Sequence, residues 1–187
     1  CLMEESLEAL RKLLVDDILG DIIYEYETCC SVRLRETGKE AKLKRVNILG
    51  VPEKSVLIKL DAYAQPLSLF KGDKGERQRC DYILFTVLDG QGYTLFIELK
   101  SAKIKKTEYV CQFKGAECVV DYCHSALKRF HDHDKLKTFN KRFVVFYKPR
   151  IAKQRTRPQS PAGGITPEKA LLYPSPHNLS LRSLIAL

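Results

Sequence analysis

The sequence lacks several features that would place it in a membrane or extracellular class. No segment approaches the roughly 20 consecutive apolar residues that a membrane-spanning helix needs. Its first residues include Glu4, Glu5 and Glu8, whereas a secretory signal peptide begins with basic residues. The seven cysteines are an odd number without paired spacing, so a disulfide framework is not expected. We therefore expect a protein without a membrane span that resides in the reducing cytoplasm.

The sequence also lacks the pattern of a structural zinc site. Such sites usually show short paired spacings such as Cys-x2-Cys with a matching second pair. No such pairs occur among the cysteines and histidines between residues 111 and 133, which are Cys111, Cys118, Cys123, His124, His131 and His133. Zinc is therefore a minor hypothesis, and the cysteines suit buried positions instead.

Positive charge is the feature that the sequence has in excess. Lysine and arginine number 32 against 23 acidic residues, which gives a net charge of +9. A basic surface attracts polyanions and favours nucleic acid as a partner. The length of 187 residues suits one domain with a small appendage. We predict a domain at 1–150 with a strand-rich insertion around 31–70, followed by a basic extension with prolines and glycines at 151–187.

Hydrophobic periodicity predicts the order of helices and strands. Apolar residues at helical spacing predict an amphipathic helix from Met3 to about Tyr26, with Gly20 as a candidate break. Strand-forming segments follow between residues 31 and 70. A second helix is predicted from Glu108 to His131, and a final strand from Phe143 to Tyr147.

A β-hairpin predicted from Arg79 to Ser101 brings charged residues together. If Asp89-Gly90 is a two-residue turn, Asp81 falls opposite Glu98. If the turn has four residues, Asp81 falls opposite Lys100 and Glu98 lies on the diagonal. Either turn places the three charged residues on one face of the hairpin. An odd-length loop or a bulge would change this relation.

Two carboxylates on one strand face need an explanation, because like charges opposite one another destabilise a sheet. A bound Mg²⁺ would remove the conflict, since this ion takes one or two carboxylates and keeps waters for substrate phosphates. Lys100 could orient or help deprotonate a water, or stabilise charge on a phosphate. The alternative is an ion-paired strand face that is merely solvated.

The spacing of Asp81 and Glu98-Leu99-Lys100 across a hairpin resembles the signature of the PD-(D/E)XK nuclease superfamily. The resemblance implies a restriction-endonuclease-like α/β fold, with an αβββαβ core whose mixed central sheet is flanked by helices. It implies phosphodiester hydrolysis with Mg²⁺ or Mn²⁺, metal ligation by Asp81, Glu98 and the Leu99 carbonyl, and a role for Lys100 on the attacking water. Cys80 stands where the name-giving proline would be, a departure that other members share.

The resemblance suggests further site residues outside the hairpin. Members often carry another metal-binding acid on the helix before the sheet, which makes Glu25 and Glu27 candidates. Several branches place a glutamine on the helix after the hairpin, which makes Gln112 a candidate catalytic residue. Basic residues beside the hairpin are candidates for nucleic-acid binding, namely Lys71, Lys74, Arg77, Arg79, Lys103 and Lys105. Solvated surface positions are the competing interpretation for all of them.

The leading hypothesis is therefore a metal-dependent endonuclease that acts on DNA, in genome defence or DNA processing. It could act as a homodimer or with a partner protein in a larger complex. The alternative is a catalytically silent nucleic-acid-binding or scaffolding subunit with the same fold. The intact set of two acids and a lysine favours activity. A protein-interaction module with solvated hairpin charges would show no dependence on divalent ions.

Overall fold

The chain is an α/β protein with two mixed sheets. A computed structural model describes residues 1–26, 29–35, 45–61, 70–101, 104–148, 163–174 and 177–186. Three α-helices occur in these ranges, α1 at Leu2–Leu13, α2 at Lys106–His131 and α3 at Leu181–Ile185. No helix in the described ranges is both long and apolar enough to cross a membrane.

The larger sheet has five strands in the order β4-β5-β6-β7-β8. Their bounds are β4 Val56–Lys59, β5 Tyr82–Leu88, β6 Gln91–Lys100, β7 Asn140–Tyr147 and β8 Leu171–Pro174. Strands β4, β5 and β6 run antiparallel, whereas β7 is parallel to β6 and β8 is parallel to β7. Helix α2 makes the long connection that the parallel pair β6 and β7 requires. The elements α1, β4, β5, β6, α2 and β7 therefore follow one another in αβββαβ order, with three further strands between α1 and β4.

The smaller sheet has four strands in the order β1-β2-β3-β9 and packs on one face of the larger sheet. Its strands are β1 Ile22–Tyr26, β2 Cys29–Leu34, β3 Val46–Val51 and β9 Asn178–Ser180. The apolar cluster between the sheets includes Leu34 and Ile48 from one side and Leu95 and Ile97 from the other. The predicted strand-rich insertion thus supplies β2 and β3 to this sheet and β4 to the larger one, while 36–44 and 62–69 lie outside the described residues.

Helices α1 and α2 cover the other face of the larger sheet. Leu10 and Phe113 belong to the apolar cluster beneath them, together with Phe96 and Phe143, whose rings stack at 4.8 Å. Strands β5 and β6 are therefore buried on both faces, which explains their nearly continuous apolar sequence. A charged side chain on either face of these strands must lie at an end of the sheet or be buried.

The prediction of one helix from Met3 to Tyr26 is wrong beyond Leu13. A Cβ at Gly20 would clash with the side chain of Leu57, and the Gly20 N–H donates to the Leu57 carbonyl at 2.8 Å. These contacts fix this segment as extended chain against β4, although its apolar spacing continues the helical pattern. Glu25 consequently belongs to strand β1 and not to a helix. Its side chain lies outside the described part of the structure, as does Glu27.

The C-terminal extension adds strands to both sheets. Strand β8 pairs with β7, and β9 pairs with β3. Helix α3 places Leu181 and Leu184 in the cluster between the sheets. Phe143–Tyr147 lies within β7, which is therefore not the final strand. The basic residues of 150–157 lie outside the described residues.

Candidate active site

The β5–β6 hairpin adopts the first of the two predicted registers. Leu88 pairs with Gln91, and Asp89 and Gly90 form the turn between them with φ values of 51° and 74°. Positive φ at both central residues is what a two-residue hairpin turn of the favoured type requires. Continued one step beyond the pair of Tyr82 with Ile97, the register places Asp81 opposite Glu98. The prediction that these two acids share a face is confirmed.

Asp81 lies immediately before β5 and contacts the backbone of β6. Its Oδ2 accepts a hydrogen bond from the Leu99 N–H at 2.6 Å. The Lys100 carbonyl accepts from the Lys148 N–H at 3.1 Å, so it faces β7. Successive residues of a strand direct their peptide groups to opposite neighbours, so the Leu99 carbonyl faces the same side as the Leu99 N–H. The Asp81 carboxylate and the Leu99 carbonyl therefore lie at the same edge of β6.

Glu98 is a buried carboxylate, and its two oxygens differ in their hydrogen bonding. Its side chain is 2% exposed, and Oε1 accepts hydrogen bonds at 2.8 Å from both Lys100 Nζ and Gln112 Nε2. Glu98 Oε2 is buried without a hydrogen-bond partner among the described residues, and so is Gln112 Oε1. Buried polar atoms are nearly always hydrogen-bonded in native proteins. The two oxygens are therefore free to accept from a further polar group or to bind an ion, although buried polar atoms elsewhere in the described ranges, such as His124 Nδ1, also have no partner there.

The surroundings of Asp81 and Glu98, called the acid pair below, raise the pKa of both carboxyl groups. Burial, and then the charge of Glu98, raise the pKa of Asp81 well above its ordinary value of 3.8. Burial also raises the pKa of Glu98, although Lys100, Gln112 and a hydrogen bond from the Asp81 backbone act in the opposite direction. Burial alone would lower the pKa of Lys100, but its neighbours Glu98 and Glu108 raise it overall. Lys100 is consequently a positively charged ammonium at neutral pH, beside two carboxylates that gain from a nearby cation.

Gln112, which the resemblance suggested, reaches the acid pair from α2. Two further acids at the site were not predicted. Glu108 lies in the first turn of α2 with Oε1 at 3.3 Å from Lys100 Nζ, and Asp61 follows β4, where its charge raises the pKa of Asp81. Glu108 precedes Gln112 by four residues and so shares its helix face, a spacing that could have indicated it. No comparable signal singles out Asp61.

The basic candidates lie in two segments that flank the acid pair in sequence. Lys71, Lys74 and Arg77 are exposed, Arg79 is half-buried and Lys105 is exposed, whereas Lys103 lies outside the described residues. The loop before Asp81 packs on α2, because a Cβ at Gly115 would overlap the Gln78 carbonyl oxygen. Its exposed cations are therefore carried beside the half of α2 that bears Gln112.

The residues present fit a hard divalent cation. No group of three or more His, Cys, Asp or Glu side chains in the described ranges is arranged to hold a metal ion. Mg²⁺ is commonly held by only one or two carboxylates, with waters and substrate phosphates completing its shell. Asp81, the free Oε2 of Glu98 and the Leu99 carbonyl supply the oxygen donors that this ion prefers.

Comparison with known proteins identifies no relative from which a function could be transferred. No family model matches the chain, and no curated protein or solved structure shows a significant match. The functional interpretation therefore depends on the site itself.

Proposed function

We propose that the protein is a divalent-metal-dependent nuclease that hydrolyses phosphodiester bonds, with DNA as the favoured substrate. The observation that carries the proposal is Glu98, a buried carboxylate opposite Asp81 with one oxygen held by Lys100 and Gln112 and the other without a partner. A purely structural ion pair does not explain why this buried oxygen has no partner. The αβββαβ order around the larger sheet further supports a restriction-endonuclease-like core.

Asp81, Glu98 and the Leu99 carbonyl would hold Mg²⁺ or Mn²⁺. Such an ion, when bound, makes water a better nucleophile and offsets the charge of a phosphate. Gln112 and Lys100 hold Glu98 Oε1, which would leave Oε2 available to the ion. The Lys100 ammonium is a hydrogen-bond donor, and it would orient the attacking water or stabilise charge on a phosphate oxygen.

The basic loop before Asp81 supports a polyanionic substrate. Lys71, Lys74 and Arg77 are exposed on a loop that leads directly into the site. Lysine and arginine contacts to phosphates release counterions and give affinity without base preference. This loop would therefore hold the phosphate backbone beside the bond to be cut.

Cleavage assays test the proposal directly. Plasmid, linear duplex, single-stranded DNA and RNA are incubated with the protein in Mg²⁺, Mn²⁺ or EDTA. We expect cleavage in either metal, none in EDTA, and a loss of at least about 100-fold in both Asp81→Ala and Lys100→Ala. The first variant removes a ligand of the proposed ion, and the second removes the ammonium that would act on the attacking water or the phosphate. Asp89→Asn is the matched control, since it removes the charge of an aspartate at the turn end of the same hairpin while asparagine tolerates the positive φ there.

Three results would contradict the proposal. These are a wild type that cuts none of the substrates, site variants that cut as fast as the wild type, and cleavage that persists in EDTA. DNA binding without cleavage would instead favour a silent nucleic-acid-binding subunit.

A further inference from the structure

Lys100 is shared between two carboxylates that come from different elements. Its Nζ lies 2.8 Å from Glu98 Oε1 on the same strand and 3.3 Å from Glu108 Oε1 on α2. The lysine side chain is only 14% exposed, whereas that of Glu108 is 46% exposed. One partner of Lys100 therefore belongs to the acid pair, and the other lies outside it at the protein surface.

The spacing of these contacts follows from helix and strand geometry. Glu108 and Gln112 are one helical turn apart, a rise of about 6 Å. Lys100 and Glu98 are two strand residues apart, about 6.6 Å along β6. The two rises nearly match, so Glu108 reaches Lys100 while Gln112 reaches Glu98. Two successive positions on this face of α2 therefore lie beside two successive positions on one face of β6.

The core holds this part of α2 in place. Tyr109 and Phe113 are buried on the inner side of the helix, and the Phe113 ring meets that of Phe143 edge-on at 5.3 Å. Residue 108 precedes the first of these anchors directly. The backbone that carries Glu108 is thus fixed relative to β6, and only its own side-chain torsions remain free.

Glu98 alone is a poor anchor for Lys100 in the proposed function. A divalent cation beside Glu98 would repel the ammonium at short range, since both are positively charged. Glu108 is a second carboxylate within reach that does not belong to the acid pair. We propose that Glu108 is a positioning residue that keeps Lys100 beside the acid pair when a divalent cation is bound. This inference rests on the proposed nuclease function.

Chemical labelling of Lys100 tests the inference without measuring activity. The protein is treated briefly with acetic anhydride in EDTA or in Mg²⁺, and the acetylation of Lys100 is quantified by mass spectrometry. Glu108→Gln and Glu108→Ala should raise the labelling rate about two- to fivefold, the change expected for loss of a partly exposed ion pair. The increase should be larger in Mg²⁺ than in EDTA, because Glu98 still holds Lys100 when no cation competes.

Steady-state kinetics supply the second measurement. Glu108→Gln should lower kcat about tenfold with KM unchanged, since a misplaced group of this kind slows the reaction without weakening substrate binding. Glu108→Ala should be slower still, because it also removes the oxygen acceptor. Glu108→Asp should recover part of the loss.

Glu117→Gln is the matched control. Glu117 Oε1 lies 2.7 Å from Lys141 Nζ, so this ion pair also joins α2 to a strand of the larger sheet, away from the acid pair. The variant should keep wild-type kcat and wild-type labelling of Lys100.

Three outcomes separate the two proposals. Unchanged labelling and kcat in both Glu108→Gln and Glu108→Ala would overturn the positioning role, and so would an equal loss of kcat in Glu117→Gln. A wild type that cleaves no nucleic acid would overturn the proposed nuclease function. In that case the labelling of Lys100 in EDTA still decides whether Glu108 holds it.

Discussion

Each end of the β5–β6 hairpin carries an aspartate, and the surroundings of the two aspartates shift their pKa values in opposite directions. At the turn, both oxygens of Asp89 accept from Arg182, at 2.5 and 3.0 Å, and the two side chains are 64% and 67% exposed. The hydrogen bond to Arg182 lowers the pKa of Asp89. At the open end, burial and a neighbouring carboxylate raise the pKa of Asp81. The surroundings therefore favour the charged form of Asp89 and disfavour the charged form of Asp81.

The difference separates an arrangement that suits the fold from one that costs stability. The Asp89–Arg182 pair ties the turn to α3 and leaves both groups in water, as surface ion pairs commonly do. The pair of Asp81 and Glu98 places two acids together in a poorly solvated site, which is unfavourable unless a cation is bound. Such costs are typical of functional sites, where perturbed ionisation is part of the chemistry. This contrast supports the proposal that the open end is the functional end of the hairpin.

The largest expected stability effect comes from removing the cation at the open end. Lys100→Met keeps most of the side-chain volume but leaves the buried Glu98 carboxylate without its ammonium partner. We expect a loss of about 1–3 kcal/mol in the free energy of unfolding, because a buried carboxylate loses its charged donor and keeps only Gln112. Urea unfolding at neutral pH in EDTA measures the loss as a lower midpoint with an unchanged slope.

Arg182→Met is the matched change at the turn end. Its effect should be much smaller, since Asp89 remains solvated when the arginine is removed. Equal losses in the two variants would contradict the contrast between the ends.

The register of this hairpin could be predicted because its causes are local. Side chains alternate along a strand, and Asp89-Gly90 accepts the positive φ of a two-residue turn. The same alternation put Asp81 and Glu98 on one face before any tertiary contact was known. The helix that carries Gln112 was equally accessible, because its apolar stripe lies within the segment itself.

Other parts depend on contacts between distant segments and could not be predicted. The helical spacing of apolar residues continues to Ile22, yet Gly20 docks on Leu57 and the chain there is extended. Strands β8 and β9 join sheets whose other members lie far away in sequence. Likewise, the contact of Glu108 with Lys100 depends on how α2 packs against β6. Periodicity within one segment carries no information about such contacts.

A gain of stability is expected when the disfavoured charge is removed. Asp81→Asn keeps a side-chain oxygen that can accept from the Leu99 N–H but removes the carboxylate charge. In EDTA the variant should be more stable than the wild type by about 0.5–2 kcal/mol at neutral pH, as is common for substitutions that relieve a functional site. The gain should be accompanied by loss of cleavage.

The pH dependence of this gain follows from the direction of the pKa shift. Above the ordinary aspartate pKa of 3.8, the unfolded wild type has released its proton while the native Asp81, with its raised pKa, retains it. The free energy of unfolding of the wild type therefore falls as pH rises through the pKa of Asp81 in the native state, whereas an asparagine at this position does not titrate. The advantage of Asp81→Asn should increase from pH 4 to pH 7 in thermal unfolding. An advantage that shrinks over this range would contradict the raised pKa.

The smallest effect is expected at the turn, from Asp89→Asn. Asparagine tolerates positive φ, so the turn should persist and only the charge pair with Arg182 is lost. The contribution of this pair to stability has the opposite pH dependence to that of Asp81. Because the pKa of Asp89 is lowered, the pair stabilises the native state above pH 3.8. This stabilisation is lost as pH falls through the pKa of Asp89 in the native state. A slight fall in Tm at neutral pH should therefore vanish in acid, and also at high salt, where exposed charges are screened. Thermal unfolding at two salt concentrations measures it, and a loss as large as that of Lys100→Met would show that both ends of the hairpin contribute equally to the fold.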